Sequence, residues 1–205
     1  MGVYRDHVLP RLIDRACGTR ELRAWRRQVA VGLAGTVVEI GFGSGLNMAA
    51  YPPEVELVYA VEPAEVARRL AAKRIDAAAA RVEHVGLRSE EIPLPDGSCD
   101  GALSTFTLCT IPDVEQALAE VRRVLKPGAR LHFLEHGRSP DQAIARWQHR
   151  LEPMQKRLAD GCHLTREPAD LVAAAGFELE RVEARYARGP KPWSWFTEGV
   201  ARRPA

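Results

Sequence analysis

The chain has 205 residues and 46% hydrophobic content, enough for one domain with a core of its own and ordinary for a globular protein. Lys and Arg number 29 against 27 Asp and Glu, a net charge of +2 that gives no case for nucleic-acid binding by bulk charge. No apolar run reaches membrane-spanning length. Met1-Gly-Val-Tyr-Arg-Asp6 lacks a signal-peptide core and has Asp where a myristoylation pattern wants Ser or Thr.

The four cysteines, Cys17, Cys99, Cys109 and Cys162, show no C-x-x-C and no metal-ligand spacing. They read as free thiols in a reducing compartment, with no metal, and the expected location is the cytosol. Residues 3–17 place Val8, Leu9, Leu12, Ile13 and Ala16 at helical spacing. A second helix is expected over 20–34, with Thr19 as N-cap and an end near Gly32 or Gly35; Trp25, Val29 and Leu33 share one face. Residues 1–34 either pack on a sheet or form a lid over a ligand, and amphipathicity does not separate the two.

Thr36 to Ile40 is a β-branched run with the signature of a buried strand. Gly41, Gly43 and Gly45 follow on alternate positions, where glycine permits positive φ and close approach of a ligand to the backbone. Leu46 to Tyr51 then reads as the start of a helix, whose free N–H groups would face that ligand. A dinucleotide fingerprint would place glycine at position 46, where this chain has Leu46, so a nucleotide-dependent oxidoreductase is disfavoured. Glu39 stands two residues before the first glycine. The pattern E-x-G-x-G-x-G resembles the first motif of class I S-adenosylmethionine (SAM) methyltransferases. That resemblance implies SAM as cofactor, with Glu39 bracing the loop of Gly41, Gly43 and Gly45, and Asn47 beside it.

Pro52-Pro53 ends the short segment, and Val55 to Val61 is the second strand. It ends at Glu62-Pro63, about 20 residues after the first glycine, where an acid can accept both hydroxyl hydrogens of a ribose. Residues 64–80 are alanine-rich and helical, and Arg81 to Val85 is a third strand. The loop GLRSEEIPLPDG after it resembles the corresponding stretch of the ubiquinone-biosynthesis type of methyltransferase. That family usually has Asp here for the adenine amino group; this chain has Arg88-Ser89, whose backbone would have to supply the contact.

Cys99 to Thr105 is the fourth strand, and its end, Thr105-Phe106, should flank the sulfonium at the crevice where open α/β sheets bind ligands. A helix capped by Asp113 runs to about Leu125, Lys126-Pro127-Gly128 stops it, and Arg130 to Glu135 is the fifth strand, before His136. Residues 140–158 form a helix containing Pro153, 167–175 another capped by Gly176, and Phe177–Ala187 with Trp193–Arg202 a terminal strand pair. The stretch LAEVRRVLKPGARLHFLEH matches a common methyltransferase block. YPPEVELVYAVEP, FLEH and DGCHLTRE further resemble the thiol S-methyltransferases of the methyltransferase-like-seven type.

The expected fold is therefore α/β: a Rossmann-like class I methyltransferase domain over 1–205, with a mostly parallel seven-stranded sheet, helices on both faces and an antiparallel C-terminal edge hairpin. The expected activity is methyl transfer from SAM to a small-molecule acceptor such as a thiol, giving S-adenosylhomocysteine. A C-, O- or N-methyltransferase of a quinone precursor or lipid headgroup, and a SAM-binding protein without catalysis, remain alternatives. A thiolate nucleophile needs no dedicated base. Where proton transfer or steering is needed, His136 and His163 are the candidates.

Overall fold

A computed structural model describes Tyr4 and residues 8–205. The start of the expected first helix at residue 3 lies outside the described residues. That helix, α1, spans Leu9–Cys17, with only Leu9 buried, while Leu12 and Ile13 face solvent. Helix α2, Arg20–Ala30, begins where Thr19 Oγ1 accepts the Leu22 N–H. Its inward face is Leu22, Trp25, Arg26, Val29 and Ala30. It stops before Gly32, which has φ +90°.

The strands are β1 (Gly35–Ile40), β2 (Val55–Val61), β3 (Arg81–Gly86), β4 (Cys99–Thr105), β5 (Leu125–His136), β6 (Glu178–Tyr186) and β7 (Trp195–Arg202). They form one sheet of order β3-β2-β1-β4-β5-β7-β6. The first five are parallel; β7 is antiparallel to β5 and β6 antiparallel to β7. The seven-stranded, mostly parallel sheet with an antiparallel C-terminal pair is the one expected. The chain leaves β1 towards β3 and returns to β4 on β1's other side, so the direction of winding reverses between β1 and β4. Ligands of open α/β sheets sit outside the strand ends at that reversal.

Helices α3 (Glu65–Asp76), α4 (Val114–Val124), α5 (Gln142–Leu158), α6 (Pro168–Ala174) and the short α7 (Lys191–Ser194) complete the chain. The core is split by the sheet. On one face Val38, Ile40, Leu131 and Phe133 pack against Leu118, Val121 and Val124 of α4 and Val172 of α6. On the other, Val37, Val58, Leu103 and Leu134 pack against Trp25 and Val29 of α2 and Ala71 of α3. Adjacent β1 residues Val37 and Val38 thus serve opposite cores, as strand geometry requires.

Two expectations fail locally. Leu46 to Tyr51 does not form a helix. It is a run of turns closed by Met48 N–H to Gly45 O and Ala50 N–H to Asn47 O, because Gly45 is left-handed on one side and Pro52-Pro53 follows on the other. The fifth strand starts five residues early, at Leu125. Lys126-Pro127-Gly128 ends α4, yet the chain stays extended and Leu125 pairs with Cys99 before a register shift. The terminal pair is also separated by α7, which the sequence reading did not contain.

Candidate active site

The glycine loop emerges from β1 at the winding reversal. Gly41, Gly43 and Gly45 have φ of +64°, +58° and +75°. At Gly41 a Cβ would lie 2.0 Å from Thr107 Oγ1, so glycine is demanded by the neighbouring loop. Gly43 differs: among the described residues a Cβ there would meet only Gly41 O, at 3.8 Å. That side of the loop is open, as a surface that receives a ligand must be.

Glu62, 7% exposed at the tip of β2, reaches across to this loop. Its Oε2 accepts the Gly43 N–H at 2.8 Å and its Oε1 the Ala64 N–H at 2.7 Å. Burial pushes its pKa up, against the pull of those two N–H groups. A carboxylate offers about four acceptor positions, so two remain for incoming hydroxyls. Pro63 beside it is exposed, as is Arg88; Ser89 is buried in the loop after β3, whose Gly86 carbonyl accepts the Glu62 N–H. Glu62 and Pro63 at the tip of β2 are thus linked, through the Gly86 carbonyl, to the loop that carries Arg88 and Ser89.

A second group is a buried polar cluster. Glu39 accepts Asn47 Nδ2 at 2.6 Å and the Tyr51 hydroxyl at 2.5 Å. Burial raises its pKa to about 7 despite those donors and the nearby Arg26. Arg26 Nη1 donates to Asn47 Oδ1 at 2.7 Å and to Thr105 Oγ1 at 2.5 Å. Its guanidinium sits 5.3 Å from the Phe106 ring centroid. Among the described residues Arg26 Nε is buried without a hydrogen-bond partner, a donor with capacity for an acceptor. Phe106 holds φ +56°, a left-handed backbone that a bulky residue rarely adopts and that clusters at functional sites. Its ring stands edge-on to Phe196.

Arg26 was not among the expected site residues. It stands in a helix with Arg20, Arg23 and Arg27, which reads as a solvated face. The signal that could have found it is its position four after Leu22 and three before Val29, inside the apolar stripe. Helix α1 also touches the glycine loop: Asp14 accepts the Ser44 hydroxyl at 2.5 Å and pairs with Arg74 of α3 at 2.8 Å.

The two expected histidines part company. His136, at the end of β5, places Nε2 2.8 Å from Cys162 Sγ, and Cys162 Sγ lies 3.7 Å from Cys109 Sγ. His163 instead turns its ring to Glu152 of α5, with Nδ1 3.3 Å from the carboxylate. The Cys162 thiol is held well below its ordinary pKa, first by the bond from Cys109 and then by His136, against the opposing effect of burial. Burial lowers the His136 pKa, but the Cys162 bond and charge outweigh it and leave it above the usual value. The pair is thus biased towards thiolate and imidazolium. Neighbouring Glu135 is fully buried, with Oε1 accepting from Ser104 Oγ and the Thr107 and Leu108 N–H groups. Sequence spacing could not reveal the cysteine–histidine group, whose members are separated by more than 20 residues at each step.

A seven-stranded sheet with β7 inserted antiparallel beside β5, a glycine loop after β1 and an acid closing β2 define the architecture of a nucleoside-cofactor transferase. The chain matches the family description "Methyltransferase domain" over residues 38–133. It is 34% identical over 175 residues to the thiol S-methyltransferase TMT1B of Rattus norvegicus, covering 80% of this chain and 67% of the relative. To the human TMT1B it is 33% identical over 180 residues, covering 82% and 69%. A putative methyltransferase from Bacillus halodurans superposes with a TM-score of 0.71 at 18% identity, covering 89% of this chain and 99% of that one. The chain belongs to the SAM-dependent methyltransferases, in the group that contains these thiol S-methyltransferases. It is accordingly an enzyme that takes SAM as methyl donor. Among the described residues no helix is long and apolar enough to cross a membrane.

Proposed function

We propose that this chain, acting as one domain, transfers the methyl group of SAM to a small thiol. The acceptor reading rests on one observation above others: the relatives at 33 and 34% identity, matched over four fifths of this chain, are named thiol S-methyltransferases. The buried cluster of Cys109, His136 and Cys162 lies beside the ends of β4 and β5. Four free cysteines fit a reducing compartment, and we place the enzyme in the cytosol.

SAM supplies an electrophilic methyl on a cationic sulfur. The residues present fit it: an open glycine face at Gly43, spare acceptor positions on Glu62 and the orphaned Arg26 Nε. In this reading Glu62 accepts both ribose hydroxyls, and the Arg88-Ser89 backbone meets the adenine. Gly41, Gly43 and Gly45 admit the cofactor backbone, with Pro63 flanking the sugar. Arg26 and Asn47 take the amino-acid end, with Glu39 holding Asn47 and Tyr51 in place. Thr105 and Phe106 border the sulfonium, and the Phe106 π face favours a cation. His136 faces the acceptor sulfur and, biased towards imidazolium, steers its thiolate; His163 holds the loop carrying Cys162. The enzyme's main contribution is alignment of nucleophile, carbon and leaving sulfur. Helix α1 acts as the lid, with Asp14 fastening it to the glycine loop, while α2 packs on the sheet.

The test is a product assay with isotopically labelled SAM against alkyl thiols, quinol precursors and ethanolamine lipids. Labelled thioether is expected. Label in a quinol or lipid with none in thiols refutes the acceptor. A Glu62→Ala variant should bind S-adenosylhomocysteine at least tenfold more weakly; unchanged affinity would show the ribose contact to be misplaced.

A further inference from the structure

Three residues from three separate elements converge at the end of β5. Cys109 follows β4, His136 ends β5 and Cys162 follows α5. Their Sγ and imidazole nitrogen atoms all lie within 4.8 Å of one another. The arrangement is held from outside. His163 N–H bonds Cys109 O at 2.8 Å, joining the two cysteine loops. Arg166 donates to the carbonyls of Leu108 and Ile111, fixing the loop that carries Cys109. Both thiols are nearly buried, at 3% and 6% exposure.

We infer that Cys109, His136 and Cys162 form a site for a thiophilic divalent cation of the Zn²⁺ kind, whose fourth coordination position receives the acceptor thiol. The second half rests on the thiol acceptor proposed above. Two thiolates and one imidazole are the donors that zinc prefers, and three protein ligands are the number found where zinc keeps a position open. Tetrahedral bonds of about 2.3 Å place two sulfurs about 3.8 Å apart; the Cys109–Cys162 separation is 3.7 Å. The His136 nitrogen, 2.8 Å from sulfur, must retreat by roughly 0.7 Å to share an ion with it. Among the described residues its buried Nδ1 has no hydrogen-bond partner to hold the ring in its present place. Cys17 of α1 lies within electrostatic reach of both Cys162 and Arg26.

The transfer balances without a redox partner. The acceptor R–SH loses its proton to solvent as its sulfur binds the cation. A sulfur lone pair then forms the new bond to the methyl carbon, and the old carbon–sulfonium bond breaks with its electrons staying on the departing S-adenosylhomocysteine sulfur. The neutral thioether is a weak ligand and leaves. The cation keeps the thiol ionised and fixes its direction of attack.

The experiment adds Co²⁺ to the full-length protein, reduced without thiols, and reads its electronic spectrum. One equivalent with a strong thiolate-to-cobalt charge-transfer absorption is expected, as are visible bands that shift when an alkyl thiol is added. The Cys109→Ser/Cys162→Ser double variant should lose the absorption while still being thermally stabilised by S-adenosylhomocysteine. His136→Ala should weaken Co²⁺ binding at least tenfold. No charge-transfer absorption, or the same absorption in the double variant, overturns the site. Visible bands indifferent to the thiol overturn the open position. Full-rate thiol methylation by chelator-treated, metal-free protein overturns the inference and leaves the proposed function standing. A thiol-responsive cobalt spectrum without thiol methylation upholds the site and refutes the proposed acceptor.

Discussion

Gly41 and Gly43 share a backbone conformation but face different surroundings, and that contrast yields a quantitative prediction. In Gly43→Ala the added methyl meets, among the described residues, no foreign atom nearer than Gly41 O at 3.8 Å. The cost to the fold is therefore the left-handed backbone alone, about 1–2 kcal/mol. For a chain of this size that lowers the melting temperature by roughly 2–8 °C. The same methyl projects onto the face assigned to the cofactor. Crowding a close contact costs about 1–3 kcal/mol, or about fivefold to a hundredfold in affinity. Gly41→Ala puts its methyl 2.0 Å from Thr107 Oγ1, so its larger loss is in stability. Thermal denaturation of ligand-free protein and calorimetric titration with S-adenosylhomocysteine separate the two effects. A Gly43→Ala variant that binds the ligand within twofold of the parent would refute the assignment of that face.

Glu39 should make stability fall with rising pH. Its folded pKa of about 7 lies above its ordinary value of 4.5, so between those values the folded chain holds the extra proton. Stability present at pH 4.5 is lost as pH rises through 7, by ~3 kcal/mol at most from this group. Urea unfolding across pH 5 to 7.5 should show a shallower decline in Glu39→Gln, and identical slopes would contradict the buried carboxyl. The Cys162 thiolate should contribute ultraviolet absorption at pH 6 in metal-free protein. That absorption should vanish in Cys162→Ser and fall in His136→Ala; its persistence in Cys162→Ser would place the charge elsewhere. Asp113→Ala removes the side chain that accepts the Gln116 N–H at 3.0 Å at the start of α4, a cap of about 1 kcal/mol. The melting temperature should drop by roughly 2–4 °C with ligand affinity unchanged.

Much of this architecture could be read from local signals. β2 is a valine-rich apolar run and β4 a stretch of mostly small residues, and their observed limits coincide with the expected ones. The alternate glycines and the acid after β2 were legible because backbone conformation and strand-end position impose residue types directly. The short segment after the glycines was misread because its composition suits a helix, while Pro52-Pro53 leaves too few residues for one to propagate. The early start of β5 depends on pairing with Cys99, a tertiary fact. Arg26 and the convergence of Cys109, His136 and Cys162 are products of folding: each belongs to a different element, and nothing along the chain marks them as neighbours.

In the proposed site the Glu62 carboxylate would meet the sugar already immobilised. Both of its oxygens are engaged by main-chain donors at Gly43 and Ala64, so no rotor has to be frozen on ligand arrival. Those same donors keep it an acceptor and nothing else. A nucleoside lacking a ribose hydroxyl would strand part of that anion away from water with no compensating partner. With Glu62 as the proposed ribose acceptor, discrimination between ribo and deoxyribo ligands would be written into the loop before any ligand appears.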